Sequence, residues 1–209
     1  MKRISHYDVI SWGYEYFTEK LHGGHRLEAI DLLRLDTGQA VLDVPCGTGA
    51  NLPLLEARIG PTGHVYGCDF SAGMLARARA KVTTAGWGNV TLVEADARAL
   101  TPETLGSSGP PTIDAGICML GLSVVPDWEQ AFDRMYDLVR PGGRFVVMDL
   151  FLAGKRTSRL ANGYYRAIAQ AQSTRRFWEP LERRCEDVQT IDHEWFGGVA
   201  RIVAGTKRG

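Results

Sequence analysis

The chain lacks most of the features that assign a protein at first reading. None of its 209 residues belongs to a run approaching the roughly 18 apolar residues of a membrane-spanning helix. The opening MKRISHYDVISWGYEYF has no apolar core of the kind a signal peptide needs. These absences predict a soluble, cytoplasmic protein. Net charge is missing too: 24 basic side chains meet 24 acidic ones, so no overall field draws the chain to DNA or RNA, and a nucleic-acid partner is not expected. The four cysteines (Cys46, Cys68, Cys118 and Cys185) form no C-x-x-C pair. They read as small buried hydrophobes in a reducing compartment, with neither a disulfide frame nor a metal site. No internal repeat is visible, and low complexity is confined to GSSGPP at 106–111, a surface loop by its turn chemistry.

What the chain does have is an alternation of strand-like and helix-like runs. Strands are predicted at 39–46, 63–70, 89–96, 114–121 and 144–151, mostly as continuous apolar stretches, the pattern of a sheet covered on both faces. Helices are predicted at about 50–58, at 71–85 with Ser71 as N-cap, and at 127–139, opened by Asp127 after Pro126 and closed by RPGGR. Trp128, Phe132, Met135, Tyr136 and Val139 make one apolar stripe on the last of these, which reads as core packing. Upstream, GHRLEAIDLLRL is an amphipathic helix feeding the first strand. Downstream, Gly197-Gly198 separates two strand-like runs, a hairpin signal. The fold class that follows is α/β: a Rossmann-like, doubly wound, mostly parallel seven-stranded sheet ending in an antiparallel strand pair.

In such a sheet a ligand sits beyond the carboxyl ends of the strands. The first turn there is VLDVPCGTGANLPLL, residues 41–55. Gly47 and Gly49 let the backbone turn sharply and approach a ligand, and the next helix begins with unpaired N–H groups. Asp69 closes the second strand twenty residues after Gly49, where a carboxylate can accept both hydroxyls of a ribose. A nucleoside-containing cofactor is implied. A dinucleotide fingerprint shares this layout but wants a third glycine where this chain has Leu52, and Asp43 puts a carboxylate just before the turn. That suits an amine-bearing, phosphate-free cofactor such as S-adenosylmethionine better than a diphosphate.

Four segments in order, VLDVPCGTG, VYGCDFSAGMLARAR, NVTLVEADARAL and GLSVVPDWEQAFDRMYDLVRPGGRFVVMD, resemble the class I S-adenosylmethionine-dependent methyltransferases. The similarity is to the ubiquinone/menaquinone biosynthesis methyltransferases and their small-molecule and phospholipid-methylating relatives, and it runs from about Leu27 to Phe151. The resemblance implies methyl transfer from S-adenosylmethionine to a small-molecule or lipid-like acceptor. It also implies that Asp43, Pro45, Cys46, Gly47, Thr48 and Gly49 line the methionine part of the cofactor. Asp69 would hold the ribose, Phe70 and Met74 would lie against adenine or ribose, and Asp96 would accept from the adenine amino group beside Ala97. Met119 and Leu120 would border the sulfonium. Pro45 departs from the family, which usually has a glycine there. One domain is expected over 1–209: an N-terminal helical lid (1–38), a cofactor-binding core (39–151), a basic aromatic insertion (153–184) and the final strand pair (185–209).

In-line transfer from a sulfonium demands no metal and no catalytic dyad. An acceptor that must lose a proton would need a base, for which His22, His25, Tyr7 and Tyr14 are the candidates. His22 and His25 read first as a polar loop next to a helix start, Tyr7 and Tyr14 read also as core or lid packing, and Asp96 reads equally as a helix cap. His64 and His193 read as structural. Segment 153–184 carries eight basic and two acidic residues among Tyr164, Tyr165, Phe177 and Trp178. It reads as a helix packed by its apolar side, with peripheral contact to anionic membrane lipid or an acidic substrate as the other reading. The alternatives in function are a nicotinamide-dependent oxidoreductase and a non-catalytic cofactor-binding module on the same fold.

Overall fold

Seven strands, β1 (Ala40–Asp43), β2 (His64–Asp69), β3 (Val90–Glu94), β4 (Ile113–Met119), β5 (Val139–Phe151), β6 (Cys185–Trp195) and β7 (Gly198–Lys207), form one sheet in the order β3-β2-β1-β4-β5-β7-β6. The structure, a computed structural model, describes residues 23–106, 112–152, 163, 166, 171–195 and 198–209. The first five strands pair in parallel, while β7 runs antiparallel between β5 and β6. Helices α1 (residues 23–31), α2 (Leu52–Ile59), α3 (Ala72–Ala85), α4 (Trp128–Leu138) and α5 (Glu179–Arg184) flank it.

Apolar side chains cover both faces, which is why the strand sequences are continuous rather than alternating. Val41, Val65, Ile117, Val146 and Ile202 pack with Ile30, Leu33, Leu52, Leu55 and Ile59 on one face. Leu42, Cys68, Cys118, Phe145 and Val203 pack with Phe132, Met135 and Tyr136 of α4 on the other. There Phe132 meets Phe145 edge-on at 5.4 Å between ring centres. All four cysteines are buried and unbridged.

Several boundaries differ from the sequence reading. β1 stops at Asp43, ahead of the glycine turn that Val44 and Pro45 enter. β3 stops at Glu94, and Asp96 caps a short 3-10 turn, Ala97–Ala99, by accepting from Arg98 N. The Pro141-Gly142-Gly143 turn falls inside β5, whose pairing with β4 shifts register between Ile113 and Ala115. Gly143 belongs there because a β-carbon would stand 2.5 Å from Asp114 O.

Ser71 caps α3 as expected, its hydroxyl accepting from Met74 N at 3.1 Å. Asp127 precedes α4 but gives no side-chain cap; its φ is 48° and its carboxylate turns to Arg98 at 3.2 Å. In the basic aromatic segment, Phe177 and Trp178 are buried in the core with Leu181, which removes both rings from membrane contact. Tyr164 and Tyr165 lie outside the described residues. No helix among the described residues is long and apolar enough to cross a membrane.

Candidate cofactor and acceptor site

The chain winds outward from β1 through β2 to β3, then crosses back to β4 on the other side of β1. That reversal opens a crevice at the carboxyl ends of β1 and β4, and a cavity of about 370 Å³ lies there.

Its floor is the glycine turn. Gly47 and Gly49 have φ of 56° and 76°, a region L side chains avoid. A β-carbon on Gly47 would point into open space, whereas one on Gly49 would stand 2.7 Å from Leu52 Cδ1 and 3.1 Å from Ala78 Cβ. Thus Gly47 faces the cavity and Gly49 seats the turn on α2 and α3. The Pro45 ring, at the position that departs from the family, packs on Gly121, where a β-carbon would meet its Cδ at 2.2 Å. Asp69 fastens the turn from the next strand: Oδ2 accepts from Gly47 N and Oδ1 from Ser71 N, both at 2.8 Å.

Beneath the turn, Asp43 is wholly buried. Its Oδ1 accepts from Asn51 Nδ2 at 2.8 Å, and Oδ2 has no hydrogen-bond partner among the described residues. Burial pushes this carboxyl up to about 7, against the opposing pull of Asn51 and Arg26. Arg26, on α1, donates through Nη1 to Asn51 Oδ1 and lies 4.0 Å from Met119 Sδ. At the β3 side, Arg98 grips Asp96 through Nε and Nη2 (3.0 and 2.6 Å), and that contact holds the Asp96 carboxyl below its ordinary range. Phe70, 63% exposed, stands at the mouth.

Beyond β4 the wall is apolar: Met119, Leu120, Val124, Val125 and Pro126. This loop is held from behind. Asp149, buried at the end of β5, accepts from Ser123 N at 2.8 Å. Arg175 donates to the carbonyls of Leu122 and Val125.

Of the residues singled out from sequence, Pro45, Cys46, Gly47, Thr48, Asp69, Phe70, Met74, Asp96, Ala97, Met119 and Leu120 line the cavity; Asp43 and Gly49 lie behind its lining. Sequence reasoning missed Arg26, Asn51, Ser71, Arg98 and the Val124–Pro126 wall. His25 is placed elsewhere: it stacks on His193 at 4.4 Å and meets Trp195 edge-on, outside the described cavity lining, while His193 Nε2 bonds Glu28 Oε2. The described geometry thus sets His25 on the β6 side of α1, apart from the lining residues. His22, Tyr7 and Tyr14 lie outside the described residues. His64 bonds Thr91 Oγ1 at the opposite ends of the strands, in keeping with a structural role.

These groups suit a phosphate-free ligand. The Gly47 N–H that a diphosphate would need already donates to Asp69, and Asp43 adds a buried carboxyl oxygen with no hydrogen-bond partner among the described residues. No cluster of three or more His, Cys, Asp or Glu side chains able to hold a metal occurs among the described residues.

Residues 41–143 match the family described as "Methyltransferase domain". Over 131 residues the chain is 41% identical to a demethylmenaquinone methyltransferase of Listeria monocytogenes, covering 62% of this chain and 52% of the relative. A demethylmenaquinone methyltransferase of Anoxybacillus flavithermus is 33% identical over 149 residues, 71% of this chain and 59% of the relative. The chain therefore spans little more than half the length of these curated relatives. Among solved structures, phosphoethanolamine N-methyltransferase 2 of Haemonchus contortus, in complex with phosphomonomethylethanolamine and S-adenosylhomocysteine, superposes with a TM-score of 0.75 at 16% identity, covering 97% of this chain and 58% of that one. A SAM-dependent methyltransferase from Aquifex aeolicus gives a TM-score of 0.57 at 18% identity, with 83% and 84% covered. Both share the fold.

Proposed function

Since this chain belongs to the family of class I S-adenosylmethionine-dependent methyltransferases, we propose that it moves a methyl group from S-adenosylmethionine to a quinone-like small molecule in the cytoplasm, releasing S-adenosylhomocysteine. The observation that carries this reading is the division of one cavity into a carboxylate-and-glycine half at β1–β3 and an apolar wall beyond β4. The first suits a nucleoside zwitterion and the second a flat, apolar ring. The named relatives act, by their names, on a demethylated menaquinone, which agrees with that wall. We extend the reading to 1–209 as one domain, with 39–151 as its cofactor-binding core.

Cys46, Gly47 and Thr48 would then hold the amino-acid part of the cofactor, with Pro45 fixing the turn and Asp43 and Gly49 acting from beneath. Asp69, at the carboxyl end of β2 beside the turn, would take the ribose hydroxyls. Phe70 and Met74 would enclose the adenine, and Asp96 and Ala97 would border its edge. Met119 and Leu120 would set the acceptor's approach. When bound, S-adenosylmethionine supplies a methyl carbon already activated by its positive sulfur. The chain's contribution is therefore alignment, which lowers such barriers by about 7–11 kcal/mol. A quinol hydroxyl ionises readily and needs little help; for a less acidic acceptor, His22, Tyr7 and Tyr14 are the side chains we would test as base.

The test is transfer of label from methyl-labelled S-adenosylmethionine to a demethylated naphthoquinol. Label extracted into the organic phase with the quinone supports the reading. Cofactor binding without transfer, or label found only on a polar metabolite, overturns it.

A further inference from the structure

We propose that Arg175 and Asp149 are positioning residues for the methyl acceptor: together they clamp the loop between β4 and α4, residues 120–127, and so set the protein's hold on an acceptor that neither of them touches. This rests on the methyltransferase reading above and deepens it.

Val124, Val125 and Pro126 of this loop supply the apolar wall, yet little within the loop keeps them there. Among the described residues its own backbone bonds make one turn, Val124 N and Val125 N donating to Gly121 O at 3.1 and 3.0 Å. Leu120 at one end and Asp127 at the other have φ of 54° and 48°. Residues other than glycine keep that left-handed conformation only where their surroundings impose it. The shape of the wall is therefore imposed from outside the loop.

Three neighbours impose it. Asp149 Oδ2, at the end of β5, accepts from Ser123 N at 2.8 Å. Gln172 N donates to Ser123 O at 2.7 Å. Arg175 Nη1 donates to Leu122 O and to Val125 O, the latter at 2.6 Å. Asp149 is itself 1% exposed and pinned to its own strand, Oδ1 accepting from Leu150 N at 2.8 Å. Arg175 is half-buried, and Asp149 and Asp127 are the carboxylates that sustain its charge. Bonds to ionised groups are roughly twice as strong as neutral ones, and one guanidinium nitrogen shared by two carbonyls fixes the span of the turn between them. Neither side chain lines the cavity, so what they contribute to binding passes through the loop.

The cofactor half is fastened separately, by Asp69 to Gly47 N and Ser71 N. Loosening the loop then falls on the acceptor. With the wall in place in only about one molecule in ten, the acceptor's apparent affinity drops about tenfold. An acceptor that does bind still meets a cofactor held as before.

Steady-state kinetics with S-adenosylmethionine and a demethylated naphthoquinol, beside calorimetric titration of S-adenosylhomocysteine, test this. Arg175→Gln is expected to raise the acceptor KM about tenfold, with kcat and S-adenosylhomocysteine affinity within about threefold of wild type. Asp149→Asn, which keeps an acceptor for Ser123 N without the charge, moves KM the same way by less, and Arg175→Lys restores part of the Arg175→Gln loss. An unchanged acceptor KM in Arg175→Gln overturns the proposal. So does a fall in S-adenosylhomocysteine affinity as large as the rise in KM, which marks general loosening. Amide exchange of ligand-free wild-type protein needs neither variant nor acceptor: the Ser123 N–H should exchange at least about a hundredfold more slowly than an exposed amide. Exchange at the exposed rate overturns the clamp even if no variant folds. Wild-type protein that binds S-adenosylhomocysteine but methylates no quinol overturns the quinone reading, while slow Ser123 exchange still supports the clamp.

Discussion

Replacing Asp43 by Asn should flatten the dependence of stability on pH. The Asp43 carboxyl is pushed from 3.8 up to about 7 by complete burial. Between those values the unfolded chain has released the proton and the folded chain still holds it. Folding stability therefore falls as pH rises through this window, and the loss is complete above about 7. A displacement of about three pH units corresponds to about 4 kcal/mol in all. Some of this is already lost at pH 5, so the part falling between pH 5 and pH 8 is about 2.5 kcal/mol. Asn keeps the shape and can still meet Asn51. It leaves a buried N–H without a partner, at about 1–3 kcal/mol, but that cost is the same at both pH values. Urea unfolding of ligand-free wild type and Asp43→Asn at pH 5 and pH 8 gives the double difference, in which groups common to both proteins, among them Asp149, His25 and His64, cancel. The wild type should lose about 2.5 kcal/mol more than the variant on going from pH 5 to pH 8. Equal losses in the two proteins would refute the argument that burial governs this carboxyl.

Gly49→Ala, forced to φ 76° with its new methyl 2.7 Å from Leu52 Cδ1, should cost about 2–4 kcal/mol by strain and overpacking together, read as a lowered thermal midpoint; an unchanged midpoint would mean the turn does not sit on α2 and α3 as described. Phe132→Ala empties a fully buried site against Phe145 and Tyr136 and should lower the unfolding free energy by about 3–5 kcal/mol in urea. His25→Ala should leave the methyl-transfer rate within about twofold, because the ring stacks on His193 away from the cavity lining; a fall of tenfold or more would return it to the reaction.

The succession of strands and helices and the doubly covered sheet were legible because continuous apolar runs and their helical spacers are local patterns. The turn was legible for the same reason: Pro45 to Gly49 and Asp69 are fixed by their places at the ends of β1 and β2. What escaped was whatever depends on two distant segments meeting. Nothing in GHRLEAI marks Arg26 as a cavity residue until α1 is laid over the turn and Asn51 reaches it across 25 positions. Pro45 read as a defect in the glycine pattern, and only its contact with Gly121 accounts for it. For His25, the Gly23-Gly24 it flanks in the segment before the first strand suggested a role, whereas in the structure its ring packs on His193 and Trp195 of β6. Asp96 was ambiguous because a carboxylate after a strand can serve a ligand or cap the next turn, and here it caps Ala97–Ala99 and is also held by the Arg98 guanidinium.

The two backbone bonds to Asp69 bear on how tightly this cavity can hold a small molecule. A side chain that must be frozen on binding spends about 0.5–1.5 kcal/mol of the contact energy on its own immobilisation. Asp69 is immobilised by Gly47 and Ser71 when the chain folds, so that expense falls on folding, and a diol arriving there meets acceptors that are already aimed. Affinity in this region should accordingly owe more to the rigidity of the two strand ends than to the number of contacts a ligand makes with them.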